Sequence, residues 1–170
     1  MKRKRTPPNM RRKNFSLTSL AGWILLCEAA GVVGSVFTVS AIPTWYASLT
    51  KPPIAPPNYL FGPVWVILYA LMGIAAYRVS RSGKSGHEQH GAIRFFLFHL
   101  LLNALWSPVF FGLKQIPLAF VTIAAVWLTL IMLIFRYEKL DRVSAFLLLP
   151  YLYWVTFATV LNYYFWYLNA

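Results

Sequence analysis

Chemistry inside the apolar stretches of this sequence would fall to one acid, one amide and a set of tryptophans. Glu28 is the only acid within a long apolar run, and an ionisable group at membrane depth is costly and usually functional. The aromatic residues recur at helical spacing. Phe61, Trp65, Leu68 and Met72 fall on one face at steps of four, three and four; Asn103, Trp106 and Phe110 do the same further on; Trp154, Phe157, Ala158, Leu161 and Phe165 form a third row after Pro150. Flat aromatic walls with one amide to orient a guest suit a large apolar ligand. The sequence offers no nucleophile beside a base, no carboxylate pair, no phosphate loop and no cofactor fingerprint, so acid, base or metal catalysis is not expected and no cofactor is required. His87, Glu88 and His90 fall in a polar loop and are too few to assign a metal. Cys27, the only cysteine, can build neither a disulfide nor a cysteine zinc site within one chain.

The elements that must carry these residues follow from composition. Of 170 residues, 59% are hydrophobic and 12% charged, against about 45–50% and 25% in soluble domains. The expected fold is therefore all-α, an integral membrane bundle of five helices, each covering the ~20 apolar residues that span a bilayer. The spans read as 17–42, 60–80, 92–112, 116–135 and 143–168. The first is too long for a signal peptide and is expected to be retained. Residues 1–16 read as a basic, disordered tail. The connection 43–59 carries Pro43, Pro52, Pro53, Pro56 and Pro57, which makes it a semi-rigid cover. With five spans, fourteen of the sixteen Lys and Arg fall on one side, leaving only Lys51 and Lys114 opposite. This segregation places the N-terminus in the cytoplasm and the first loop and C-terminus outside. It also explains the +12 net charge as a topology signal, with no nucleic-acid partner.

At about 1.5 Å per residue from the loop side, Trp65 lies ~7 Å deep, Trp106 ~9 Å, Asn103 ~13 Å, Ala158 ~15 Å and Trp154 ~21 Å. They can line one cavity beneath the loop. The competing reading is helix packing, and Trp23, Trp45, Tyr46, Trp166 and Tyr167 suit an interfacial belt. An interhelical hydrogen bond would satisfy Asn103 as well as a ligand would. Pro150 should bend the last span. Glu28 reads as a structural carboxyl with His99 or Asn103 facing it, since no further ionisable residues line up as a proton path. Ala30 with Gly34, Gly31 with Ser35, and Gly73 with Ala76 permit close backbone approach, within the bundle or between protomers.

Several strings in order carry a family resemblance: Trp45-Tyr46-Ala47-Ser48-Leu49-Thr50-Lys51-Pro52, Pro56-Pro57, Phe61-Gly62-Pro63-Val64-Trp65, Leu102-Asn103, Trp106-Ser107-Pro108, Phe110-Phe111-Gly112, Pro150-Tyr151-Leu152 and Leu161-Asn162-Tyr163. Together they resemble the translocator protein family, also called TspO/MBR, tryptophan-rich sensory proteins or peripheral-type benzodiazepine receptors. The resemblance implies a five-helix bundle, commonly a homodimer, that binds porphyrins such as protoporphyrin IX, haem-type tetrapyrroles and benzodiazepine-type ligands under the first loop. By position, Trp65, Asn103, Trp106, Trp154, Phe157 and Ala158 look like the family's pocket residues. With Tyr46, Lys51, Phe61, Phe110 and Leu161 they form the candidate ligand set, Lys51 either tying down the loop or meeting a propionate. A receptor or sensor, compatible with transport, is the leading expectation. Light-dependent porphyrin degradation by Trp65 and Trp154 is the second, and a small proton-coupled multidrug-type transporter leaning on Glu28 the third. No Lys or Arg follows Tyr163, so the cholesterol pattern of animal members is incomplete.

Overall fold

The computed structural model describes residues 15–83 and 86–170; the tail residues 1–14, Lys84 and Ser85 lie outside it. Every regular element among the described residues is helical. The long helices are α1 (Leu17–Ala41), α3 (Phe61–Ser80), α4 (Gly86–Ser107), α5 (Ile116–Leu140) and α7 (Leu149–Asn169), with α2 (Trp45–Ser48) and α6 (Arg142–Leu147) as short pieces. A single 3-10 turn over Asn58–Leu60 leads into α3, and α4 runs on through a π turn over Pro108–Gly112. Five stretches are long and apolar enough to cross a membrane.

Local chemistry sets the ends. Ser16, expected in the tail, instead caps α1: its hydroxyl accepts from the Ser19 amide at 3.3 Å, and its own amide donates to the Tyr77 phenol at 2.9 Å. This pins the start of α1 to the end of α3. Asp141 caps α6 by accepting from the amides of Val143 and Ser144, and its carboxylate also meets Arg78 at 3.0 Å. The connection expected over 136–142 shrinks to that one residue, because α5 continues to Leu140. Hydropathy falls where Arg136 appears, but the helix does not stop: Tyr137 and Leu140 are buried, and the Arg136 guanidinium lies 4.2 Å from the centre of the Phe95 ring. Likewise α4 starts at Gly86 rather than residue 92, so His87, Glu88 and His90 stand on its first turn, where an acid is favoured.

Prolines produce the two irregularities. The bend expected at Pro150 is a full break: the Leu148 amide turns back to the Ala145 carbonyl at 3.1 Å and α7 begins afresh with Pro150 in its first turn. Pro108 has no N–H for α4, and the chain widens so that the Leu113 amide reaches the Pro108 carbonyl, five residues back, at 2.8 Å. Lys114, at a φ of 57°, then reverses the chain into α5.

The packed interior falls in two parts. A larger cluster around Met72, Phe96, Leu130, Tyr137 and Tyr151 fills the end away from the proline-rich loop. A smaller one, Tyr46, Phe110, Ile116, Ala119, Leu161 and Phe165, lies under the loop.

Candidate functional site

A cavity of about 490 Å³ is lined by residues of both clusters, within the range of small-molecule sites. Its walls are the aromatic rows read from the sequence. Phe61, Trp65 and Tyr69 come from α3, Asn103 and Trp106 from α4, Phe110 from the π turn, and Trp154, Ala158 and Leu161 from α7. The fourth wall is α1, through Glu28, Gly31, Ser35 and Thr38. Exposed Val32 and Val39 of α1 and Val66 of α3 also border the space, so it opens between those two helices.

Of the candidate set, the structure brings Tyr46, Phe61, Trp65, Asn103, Trp106, Phe110, Trp154, Ala158 and Leu161 to the cavity and leaves out two. Phe157 sits one helical step from Ala158, about 100° round the helix, and turns to pack 5.6 Å from the Trp154 ring. Lys51 is exposed, its ammonium 5.3 Å from the centre of the Tyr46 ring, a cation–π contact.

The loop forms the roof. Tyr46 is buried, its ring 5.6 Å from Phe111 and 5.4 Å from Phe165, and burial pushes its phenol above the usual tyrosine range. The last turn of α7 latches the loop: Asn169 accepts from the Thr50 amide at 2.8 Å and donates to the Thr50 carbonyl at 3.1 Å and the Phe165 carbonyl at 2.9 Å. Two hydrogen bonds of this kind contribute about 1–2 kcal/mol. Asn169→Ala should therefore raise amide exchange across Trp45–Leu49 several-fold while α5 exchanges as before. Unchanged exchange in the loop would leave its anchoring to Tyr46 alone.

Behind the walls runs a buried polar chain whose direction its chemistry fixes. Tyr69 donates to Asn103 Oδ1 at 2.6 Å, and Asn103 Nδ2 donates to the Tyr151 hydroxyl at 2.7 Å. Thr129 spends its hydrogen on a helix carbonyl, so at 2.8 Å it accepts from His99 Nδ1–H, which leaves Nε2 of the neutral ring to accept from the Tyr151 hydroxyl 3.1 Å away. Thr129 ends the chain on the Ala125 carbonyl at 2.8 Å. Asn103 thus orients two tyrosines, and His99 faces Tyr151 and Thr129 instead of Glu28. Sequence reasoning did not single out Tyr69 and Tyr151 as partners; a phenol on each flanking helix at the depth of Asn103 was the available signal. Asn162, also buried, accepts from Trp106 Nε1 at 3.0 Å and fixes that indole. Trp154 differs: its Nε1 is buried and meets no acceptor among the described residues. A buried donor without a partner is costly, and with no accessible surface this one is closed to a ligand in the cavity.

Comparison with known proteins gives a consistent result. The family model described as TspO/MBR matches residues 23–168. The chain is 40% identical over 156 residues to the "Tryptophan-rich protein TspO" of Archaeoglobus fulgidus, covering 92% of this chain and 100% of that protein. It is 38% identical over 150 residues to the protein of the same name from Chlorobaculum tepidum, covering 88% and 95%. The human "Translocator protein" is 35% identical over 147 residues, covering 85% and 86%.

Proposed function

The chain belongs to the TspO/MBR family of multi-helix membrane proteins, and from that premise we propose that it is a receptor or sensor for porphyrins. Protoporphyrin IX, haem-type tetrapyrroles and benzodiazepine-type ligands are the guests of the cavity under the proline-rich loop, and transport is compatible with this role. The observation that carries the reading is the cavity itself: three aromatic walls beneath a latched roof. A flat macrocycle gains aromatic contact on Trp65 and Trp154, each offset-stacked pair contributing about 0.5–1.5 kcal/mol beyond burial. Charge segregation supports a cytoplasmic N-terminus with the loop outside.

Two contacts of Trp65 favour a second reading, light-dependent porphyrin degradation. Trp65 stacks on Tyr69 at 5.3 Å between ring centres and meets Tyr151 edge-on at 6.1 Å. An indole that has given up an electron to an excited porphyrin would thus lie beside two hydrogen-bonded phenols. Phenylalanine keeps the stacking area but is a much poorer electron donor. Trp65→Phe and Trp154→Phe should leave dark affinity within about tenfold. Under light, loss of porphyrin should slow far more in both variants. Equal rates in parent and variants, with normal dark binding, would reduce these rings to walls and leave the receptor role alone. Loss of dark binding well beyond that factor would instead give the indoles a part in affinity beyond their stacking area.

A further inference from the structure

Glu28 is the polar group of the cavity that porphyrin stacking leaves unused. It begins a stripe on α1, continued by Gly31, Ser35 and Thr38 at steps of three, four and three, and all four line the cavity. Gly31 keeps this wall low, since a Cβ there would lie 2.5 Å from the Tyr69 ring.

The hydrogen bonds of this wall run one way. Ser35 donates to the Val32 carbonyl at 2.8 Å and Thr38 to the Gly34 carbonyl at 3.1 Å, so each turns its hydrogen back to the helix, and the Thr38 oxygen also meets the Ser107 hydroxyl at 3.2 Å. Tyr69, the nearest phenol, has given its hydrogen to Asn103. Glu28 itself has no hydrogen bond or ion pair with a described residue, and the described residues of the lining include no Lys, Arg or His. The α1 wall therefore turns the free Ser35 oxygen toward the cavity and ends in an ionisable carboxyl with no counter-charge among the described residues, midway along a membrane-spanning helix. Such a group is costly to keep at that depth. A ligand that satisfies it must bring donors, and a positive charge would make the hydrogen bond a charge-assisted one.

We propose that the Glu28 carboxyl is the recognition group for a basic amine at one end of a flat aromatic ligand, so that the cavity takes cationic aromatic amines as a ligand class beside tetrapyrroles. The amine lies against α1 at the level of Glu28 and Tyr69, and the rings fill the space between Trp65, Trp106 and Trp154. This inference rests on the cavity being a binding site, the reading given above.

The test uses two probes of nearly equal shape, 1-aminomethylpyrene and 1-ethylpyrene, titrated into the full chain in lipid nanodiscs with quenching of tryptophan emission as readout. Glu28→Gln keeps the shape of the side chain and removes its charge. The expected result is a loss of at least about tenfold in affinity for the amine, the size of one charge-assisted hydrogen bond, with 1-ethylpyrene within about twofold, which also reports an intact cavity. If the variant binds both probes like the parent, or loses both equally, the amine proposal is overturned while the cavity stands. If neither probe binds the parent, the binding reading fails and takes the proposal with it.

Discussion

Gly73→Ala is expected to be the most damaging single methyl in the chain. A Cβ at position 73 would lie 2.6 Å from the Ile24 Cα, 2.8 Å from its nitrogen and 2.9 Å from the Trp23 carbonyl oxygen. All three are backbone atoms of α1, so no side chain can swing aside, and α1 must separate from α3 at their closest approach. Overpacking of a well-filled contact costs about 1–3 kcal/mol and occasionally more, and here the upper end is expected. The displaced helix also carries the Glu28–Thr38 wall, so ligand binding should fall together with thermal stability in detergent. Gly22→Ala is the matched control. Nothing lies within 4 Å of its added Cβ, and alanine improves helix propensity by about 1 kcal/mol, so its melting temperature should hold or rise. Similar melting of both variants would remove the close α1–α3 contact from this account.

Ala158→Phe is expected to have the largest effect on binding with the least effect on the fold. Ala158 stands on α7 between Trp154 and Leu161, and all three line the cavity. Ala158 is buried but borders the cavity, so the new ring is expected to grow into that space and not against a helix backbone. It would occupy the slot in which a macrocycle stacks on Trp154, and affinity for protoporphyrin IX should drop by about a hundredfold, or 2.7 kcal/mol. Melting temperature should stay near that of the parent. A variant that melts normally and binds as tightly as before would place the porphyrin elsewhere on the protein.

How far these sites were legible in the sequence depended on which physical signal carried them. The five spans announce themselves because a bilayer demands about 20 apolar residues whatever their neighbours. Their ends were harder to see: Arg136 and Lys139 lower the hydropathy of α5 without ending its backbone hydrogen bonds, and His87 and Glu88 do the same at the start of α4. Pro150 showed its break because α7 restarts with the proline in its first turn. Pro108 lies deep in an apolar run and gave no sign that the helix would widen into a π turn. Helical phase placed Trp65, Asn103, Trp106, Trp154 and Ala158 on faces that the structure turns toward one space. Depth alone could not assign partners, however. Depth left both His99 and Asn103 open to Glu28, but His99 faces Tyr151 and Thr129, since rotation about the helix axis decides contact. Asn169 latches the loop from the end of the chain, through a contact of long sequence separation that no local pattern encodes.

Dark titration of the purified protein with protoporphyrin IX tests the central claim most directly, following tryptophan emission in the parent and in Ala158→Phe. A cavity walled by Trp65, Trp106 and Trp154 predicts saturable quenching at one porphyrin per chain, lost over the same concentration range in Ala158→Phe. Quenching that never saturates, or that proceeds identically in both proteins, would contradict it.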